Sequence, residues 1–162
     1  MLPKRAAERG YYCVIAIMPF NLAFFGIDAA SGIMDDAPQV GSWWIAGHSL
    51  GGAMAAQFAA GHADDIEGAF LLAAYAASDL STTDLAVDII YGSEDRVLNR
   101  DSLADNAANL PAASVETVIE GGKLAGFGDL RPQAGDGTAA ISAEEQWERT
   151  ATAIDSAIES AR

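Results

Sequence analysis

Short apolar runs of strand length alternate along the chain with stretches whose apolar residues recur at helical spacing. The runs predict buried strands at 11–18, 42–46, 67–74, 85–91 and 115–120. The stretches between them predict helices at 3–9, 23–36, 53–60, 99–109 and 142–161, and the last helix opens on a Ser142-x-x-Glu145 capping box. Alternation of helices with strands that are apolar on both faces predicts an α/β fold, a three-layer sandwich around a mainly parallel sheet of about five strands.

Composition limits the size and the partners of this fold. With 162 residues, of which 51% are hydrophobic, the chain can bury one core, so we expect a single domain over residues 1–162. The net charge is −14, from 23 acidic and 9 basic residues, which argues against nucleic acid and anionic membranes as partners.

The first apolar run raises the question of a targeting segment. Residues 11–25 follow three basic residues, as in a secretory signal, but Pro19 and Asn21 interrupt the run, which is also shorter than the roughly 20 residues that span a bilayer. A buried strand ending in a loop explains it better. Cys13 is the single cysteine, which excludes an intrachain disulfide and suits a reducing, cytoplasmic location. Its place in the apolar run predicts a core thiol.

Candidate chemistry is concentrated in the run Gly47-His48-Ser49-Leu50-Gly51-Gly52, a G-x-S-x-G sequence between a predicted strand and a predicted helix. This order is typical of a nucleophile elbow, and it makes Ser49 the candidate nucleophile. We expect the glycines two before and two after Ser49 to be required because side chains there would clash in the sharp turn. Gly52 would allow the helix to pack close to the sheet.

A serine nucleophile needs a histidine as base and a carboxylate that orients the histidine. Asp95 follows the predicted strand at 85–91, at the same carboxyl edge of the sheet as Ser49, where α/β proteins build their sites. Asp95 is therefore the candidate acid, ahead of Glu94. The structural alternative is that Asp95 only caps a turn or pairs with Arg96.

These motifs resemble those of the α/β-hydrolase superfamily, in particular its compact bacterial carboxylesterase or dienelactone-hydrolase-like members. The resemblance covers nearly the whole chain, and its segments are 18–23, 47–52, Gly92-x-x-Asp95-x-Val97, 121–129 and 135–137. It implies a reduced α/β-hydrolase fold, Ser49 as nucleophile, Asp95 as acid, and the backbone N–H of Leu50 in the oxyanion hole. It also implies a small-molecule ester as substrate, and no metal or cofactor.

The sequence departs from this family at the base, because Leu124 stands at the position that matches the family's histidine. Of the two histidines present, His48 should point away from the serine hydroxyl and be packed and hydrogen-bonded. His62 should lie at the surface, roughly 16 Å along the helix from its start. Lys123 could act as a base only if burial strongly lowered its pKa.

A second departure concerns the strands that precede the elbow in the superfamily. We expect the first predicted strand to pair directly with the elbow strand, and the loop at Phe20 and Asn21 to supply the second oxyanion donor. Asn21 and Phe127 are candidate substrate-binding residues. Apolar sheet surface left uncovered would be buried by a second subunit, which predicts a homodimer.

Three functional hypotheses follow. The first is a serine hydrolase that cleaves small carboxylic esters through an acyl-serine intermediate, slowed by Leu124. The second is a non-catalytic protein of the same fold that binds an acyl ligand or a protein partner. The third is that Leu124 is a changed residue in an otherwise active enzyme.

Overall fold

The computed structural model describes residues 1–18, 23–128 and 133–161. Its one sheet has four parallel strands in the order β1-β2-β3-β4, namely β1 (Trp44–His48), β2 (Gly68–Leu72), β3 (Ala86–Gly92) and β4 (Val115–Ile119). The described α-helices are α1 (Leu2–Glu8), α2 (Ala29–Asp35), α3 (Leu50–Gly61), α4 (Arg100–Asp105) and α5 (Ala143–Ser160). Short 3₁₀ turns cover Ala23–Gly26, Ala107–Asn109 and Leu124–Phe127.

The sheet separates two hydrophobic cores because successive strand residues face opposite sides. In β2, Ala69 and Leu71 pack into the core that includes Phe58 of α3, whereas Phe70 and Leu72 pack into the core that includes Ile154 of α5. Helices therefore cover both faces of a parallel sheet, and the predicted three-layer α/β architecture is confirmed.

The capping signal at the start of α5 is also confirmed, since the Ser142 hydroxyl accepts a hydrogen bond of 3.1 Å from the backbone N–H of Glu145. α1 packs beside α5 with Leu2 buried. Arg9, which follows α1, donates a hydrogen bond of 2.6 Å to the Glu148 carboxylate. None of the described helices is both long and apolar enough to cross a membrane.

The segment at 11–18 is not a strand, so this prediction and its pairing with the elbow strand are wrong. In the described part of the chain β1 bonds to β2 alone, and the exposed side chains of the segment include Tyr12, Cys13 and Ile17. Apolar character predicted burial, but a strand also needs a hydrogen-bonded neighbour. The contacts described for this segment include the Tyr12 ring on Trp43 and a hydrogen bond of 2.5 Å from the Tyr11 hydroxyl to Asp155. The core position expected for Cys13 is thus corrected, and the homodimer stays a prediction.

Asp88 in β3 gives the fold a pH dependence. Its side chain is buried, and this burial raises the pKa of the carboxyl, while a hydrogen bond from Val115 opposes the shift. Because the native state then holds the proton more tightly than the unfolded chain does, the ionised carboxylate lowers stability at neutral pH, and stability recovers as the pH falls through the raised pKa.

We therefore expect Asp88→Asn, which keeps an acceptor for Val115, to raise the melting temperature at neutral pH by roughly 2–4 °C, the equivalent of about 1 kcal/mol. The gain should shrink as the pH falls through the raised pKa and should be lost below about 3.9, the ordinary pKa of an Asp carboxyl, where the group is protonated in both states. Thermal melts followed by circular dichroism measure both effects, with the exposed Asp84→Asn as the matched control. A gain that does not change with pH would contradict the role of the charge.

Candidate active site

The turn at Ser49 has the strained geometry of a nucleophile elbow. Ser49 connects β1 to α3 with φ 53° and ψ −123°, in a region that residues other than glycine rarely adopt. Backbone groups hold it there: its N–H donates to the Leu72 carbonyl at 2.9 Å, and its carbonyl accepts from Gly52 and Ala53 at 2.8 and 3.2 Å. The Ser49 side chain makes no capping hydrogen bond to α3, so the turn presents a hydroxyl that is not used to build the helix.

The glycines around Ser49 are not equivalent. A Cβ at Gly52 would lie 2.4 Å from the Ala74 Cβ, which confirms that Gly52 allows α3 to approach the sheet. A Cβ at Gly47 would overlap the backbone of Gly51. A Cβ at Gly51, however, would meet nothing within 4 Å, so the clash predicted there is wrong, because Gly51 lies in the first turn of α3 and faces open space.

Asp95 lies in the turn after β3, and its two carboxylate oxygens have different surroundings. Oδ1 accepts hydrogen bonds from the backbone N–H groups of Val97 and Leu98, at 2.8 and 2.9 Å. Oδ2 is buried and has no hydrogen-bond partner among the described residues. Asp95 therefore does cap a turn, but only one oxygen does so, and an unpaired buried carboxylate oxygen is costly enough to require an explanation.

Leu124 begins the 3₁₀ turn that follows β4. β4 pairs with β3, the strand that leads to Asp95. The two loops are joined by the Glu94 N–H, which donates to the Gly122 carbonyl at 2.8 Å. The Leu124 side chain is 1% exposed and belongs to the core that contains Ile90 and Ile154. The leucine is packed as a core residue, and it offers no proton acceptor.

His48 contacts the loop that carries Leu124, and its described hydrogen bond goes to that loop and not to Ser49. Its Nε2 lies 3.1 Å from the Leu124 carbonyl oxygen, and because a carbonyl only accepts, Nε2 must carry the proton. The ring lies 5.9 Å from the Phe127 ring. Burial lowers the pKa of His48, partly offset by this hydrogen bond and by the charges of Asp95 and Asp136. The expectation of a packed, hydrogen-bonded histidine is confirmed.

His62 is half-buried, so the expected surface position is corrected. Its Nδ1 lies 3.0 Å from the Phe58 carbonyl, its Nε2 lies 3.2 Å from the Ser31 hydroxyl, and its ring stacks on Phe58 at 4.0 Å. Helical spacing correctly placed His62 at the far end of α3 from Ser49, but it could not show that Ser31 of α2 contacts that end.

Two polar residues near Leu124 were not predicted as part of the site. Gln146 of α5 is fully buried and bonds twice to Lys123, accepting from its N–H at 3.0 Å and donating to its carbonyl at 2.8 Å. Asp136 accepts from the N–H groups of Leu124 and Ala125, at 3.3 and 3.0 Å. A polar side chain on the apolar face of a helix was the available signal for Gln146. Asp136 lies in the segment 135–137 that resembles the family, but the resemblance was not used to assign it a role.

Of the remaining predicted site residues, the structure describes Leu50 and Phe127 but not Phe20 and Asn21. Leu50 opens α3, where backbone N–H groups lack intrahelical partners, and this suits an oxyanion donor. Phe20 and Asn21 lie outside the described residues. Phe127, predicted to contact substrate, is 4% exposed and packs in the core, so its ring presents almost no surface to a ligand.

Solved structures share this fold at low sequence identity. A thermophilic esterase from Thermogutta terrifontis matches 99% of this chain and 85% of its own, with a TM-score of 0.68 and 13% identity. A monoacylglycerol lipase from Paleococcus ferrophilus matches 81% of this chain and 76% of its own, with a TM-score of 0.52 and 13% identity. A predicted CIB-like hydrolase from Thermoplasma acidophilum matches 90% of this chain and 67% of its own length, with a TM-score of 0.56 and 17% identity.

No curated protein sequence matches the chain. Residues 1–148, by contrast, match the model described as the alpha/beta hydrolase family. This match covers most of the sequence, and the four parallel strands form a reduced version of the fold that the solved structures share. The chain therefore belongs to the alpha/beta hydrolase family.

Proposed function

We propose that the protein hydrolyses small carboxylic esters through an acyl-serine intermediate on Ser49, and that it does so slowly because Leu124 occupies the place of the base. The observation that carries this proposal is the buried Oδ2 of Asp95, which has no partner among the described residues. An oxygen in this position suits the orienting of an imidazole, and no other described group makes use of it. The names of the esterase and the lipase with the same fold support carboxylic esters as the substrate class.

The chemistry follows from the elbow. The Ser49 oxygen attacks the ester carbonyl carbon, and the carbonyl oxygen becomes an oxyanion that the Leu50 N–H stabilises. The tetrahedral intermediate then expels the alcohol oxygen and leaves an acyl group on Ser49. Water next attacks that acyl group and releases the carboxylic acid.

Without a histidine, water must take the Ser49 proton and later activate the attacking water. Triads that lack a member typically keep only about 10³- to 10⁴-fold acceleration over water, through binding and the oxyanion hole. Both attacks lack a base, but the second step suffers more when the leaving group is an activated phenol, because expulsion of a phenolate needs no proton, whereas expulsion of the Ser49 alkoxide does. The acyl group should therefore accumulate on Ser49.

We expect prolonged incubation with a p-nitrophenyl ester to add the mass of one acyl group to the peptide that contains Ser49, as measured by intact-mass and peptide mass spectrometry. Ser49→Ala should abolish this label. Ser31→Ala is the matched control, because Ser31 is a half-buried serine that does lie beside a histidine but is outside the elbow. Label that survives Ser49→Ala, or that disappears with Ser31→Ala, would overturn the proposed nucleophile.

The alternative is a non-catalytic protein that binds an acyl ligand or a protein partner. It is favoured by the close packing of Leu124, which is 1% exposed and so behaves as a settled core residue. A chain that is never acylated at Ser49, yet binds a fatty acid or a non-hydrolysable ester analogue, would support this alternative.

A further inference from the structure

The backbone on both sides of position 124 is held by side chains from three separate parts of the fold. Gln146 of α5 bonds to both backbone groups of Lys123. His48 of β1 donates to the Leu124 carbonyl, and Asp136 accepts from the Leu124 N–H. Buried backbone groups need hydrogen-bond partners whatever side chain they carry, but here the partners are side chains from β1, α5 and the loop at 136, so the position of residue 124 depends on all three.

Asp136 makes the most hydrogen bonds in this set, because its carboxylate accepts from three backbone N–H groups. Oδ1 accepts from Leu124 at 3.3 Å and from Gly137 at 2.9 Å, while Oδ2 accepts from Ala125 at 3.0 Å. Two of these N–H groups belong to the first turn of the 3₁₀ segment that position 124 opens. The carboxylate therefore fixes where this turn begins and how it is rotated.

The same loop also touches the turn that carries the acid. Gly137 is buried, and a Cβ on it would lie 1.8 Å from the Glu94 carbonyl oxygen, so only a glycine lets the loop approach Glu94 this closely. Glu94 immediately precedes Asp95. Residues 136 and 137 thus bridge the two loops that carry positions 95 and 124.

We propose that Asp136 is a positioning residue, which holds the side chain at position 124 toward the unpaired Oδ2 of Asp95. This inference rests on the proposed function, because it assigns Asp136 the task of aligning the base position with the acid. Asp136 does not itself touch the substrate or the reacting atoms. It acts through the backbone of residue 124.

The first test introduces a histidine as a reporter and measures its pKa by NMR titration in four full-length chains: Leu124→His alone, and with Asp95→Asn, Asp136→Asn or both. A carboxylate within about 4–6 Å raises the pKa of an imidazole, so Asp95→Asn should lower the pKa of the new histidine by about 1 unit or more. In the Asp136→Asn background this drop should be less than half as large, because the displaced histidine no longer faces Asp95. Comparing the two drops cancels the direct effect of the Asp136 charge.

Asp79→Asn is the matched control, since Asp79 also accepts a backbone hydrogen bond, from Ser81 at 2.9 Å, but lies in an exposed turn. It should leave the drop in pKa unchanged. An equal drop with and without Asp136 would overturn the proposal. This readout does not need catalysis, so an inactive Leu124→His chain that still shows the coupling would defeat the proposed function and leave the positioning role in place.

The second test uses the chain with Leu124 and remains informative if the histidine variants do not fold. Asp136→Asn keeps the size of the side chain but turns an NH₂ group toward one of the N–H donors. We expect amide hydrogen exchange at Leu124 and Ala125 to accelerate by at least about 10-fold, because their protection depends on these hydrogen bonds. Unchanged exchange at both amides, relative to Asp79→Asn, would overturn the proposal.

Discussion

Replacing Leu124 with histidine should raise kcat/KM for a short-chain aryl ester by about 10²- to 10⁴-fold, the usual contribution of a positioned general base. The new imidazole would accept the Ser49 proton on one nitrogen and donate from the other to the Asp95 Oδ2, which is buried and unpaired among the described residues. The gain should appear as the pH rises through the pKa of the imidazole, because only the neutral ring accepts a proton. Initial rates of p-nitrophenolate release from pH 5 to 9 measure it.

Two variants separate base catalysis from other effects of the substitution. Leu124→Asn introduces a polar side chain close in size to leucine that cannot take the serine proton, and it should give no gain. Ser49→Ala added to Leu124→His should remove the gain entirely. Losing a leucine that is 1% exposed costs packing, on the order of 2 kcal/mol or more, so rates should be normalised to the folded fraction.

Three outcomes lead to different conclusions about the base. Equal, serine-dependent activity in the unaltered chain and in the Leu124→His variant would show that the base lies elsewhere in the molecule. A gain that survives Ser49→Ala would show that the histidine acts alone on the ester. A folded Leu124→His chain with no activity would favour the binding protein over the enzyme.

Sequence patterns were sufficient for the parts of the fold that depend on local order. The strand before Ser49 and the helix after it follow from an apolar run and a helix-forming run, and the structure has β1 and α3 in these places. Asp95 was found for the same reason, since a carboxylate just after a parallel strand must lie at the carboxyl edge of the sheet. Periodicity, chain order and the rules of parallel sheets were together enough to predict where β1, α3 and Asp95 lie.

Long-range contacts explain what the sequence did not predict. The burial of 11–18 depended on a neighbouring strand that the described residues do not supply, and no periodicity states whether a neighbour exists. The role of Asp136 depends on its meeting Leu124, 12 residues earlier in the chain. Gln146 meets Lys123 across 23 residues. Such contacts are set by how the loops pack on the finished sheet, and single residues carry little sign of them.

Gly47→Ala should lower the free energy of unfolding by about 3 kcal/mol or more, a large share of the roughly 5–15 kcal/mol that stabilises a domain. The new Cβ would lie 2.1 Å from the Gly51 carbonyl oxygen, 2.4 Å from its carbon and 2.7 Å from the Gly52 nitrogen. All three are backbone atoms of the elbow, so relief requires the turn itself to open. Labelling of Ser49 should be lost with it.

Gly51→Ala should leave the free energy of unfolding unchanged or raise it, although both glycines belong to the same motif. A Cβ on Gly51 meets nothing within 4 Å, and alanine favours a helix over glycine by up to about 1 kcal/mol, so α3 should be unchanged or stabilised. Urea denaturation of both variants measures the difference. Comparable losses of stability would mean that the motif is required for a reason other than packing, whereas loss at Gly47 alone would show that the turn needs one glycine for space before Ser49 and tolerates a side chain after it.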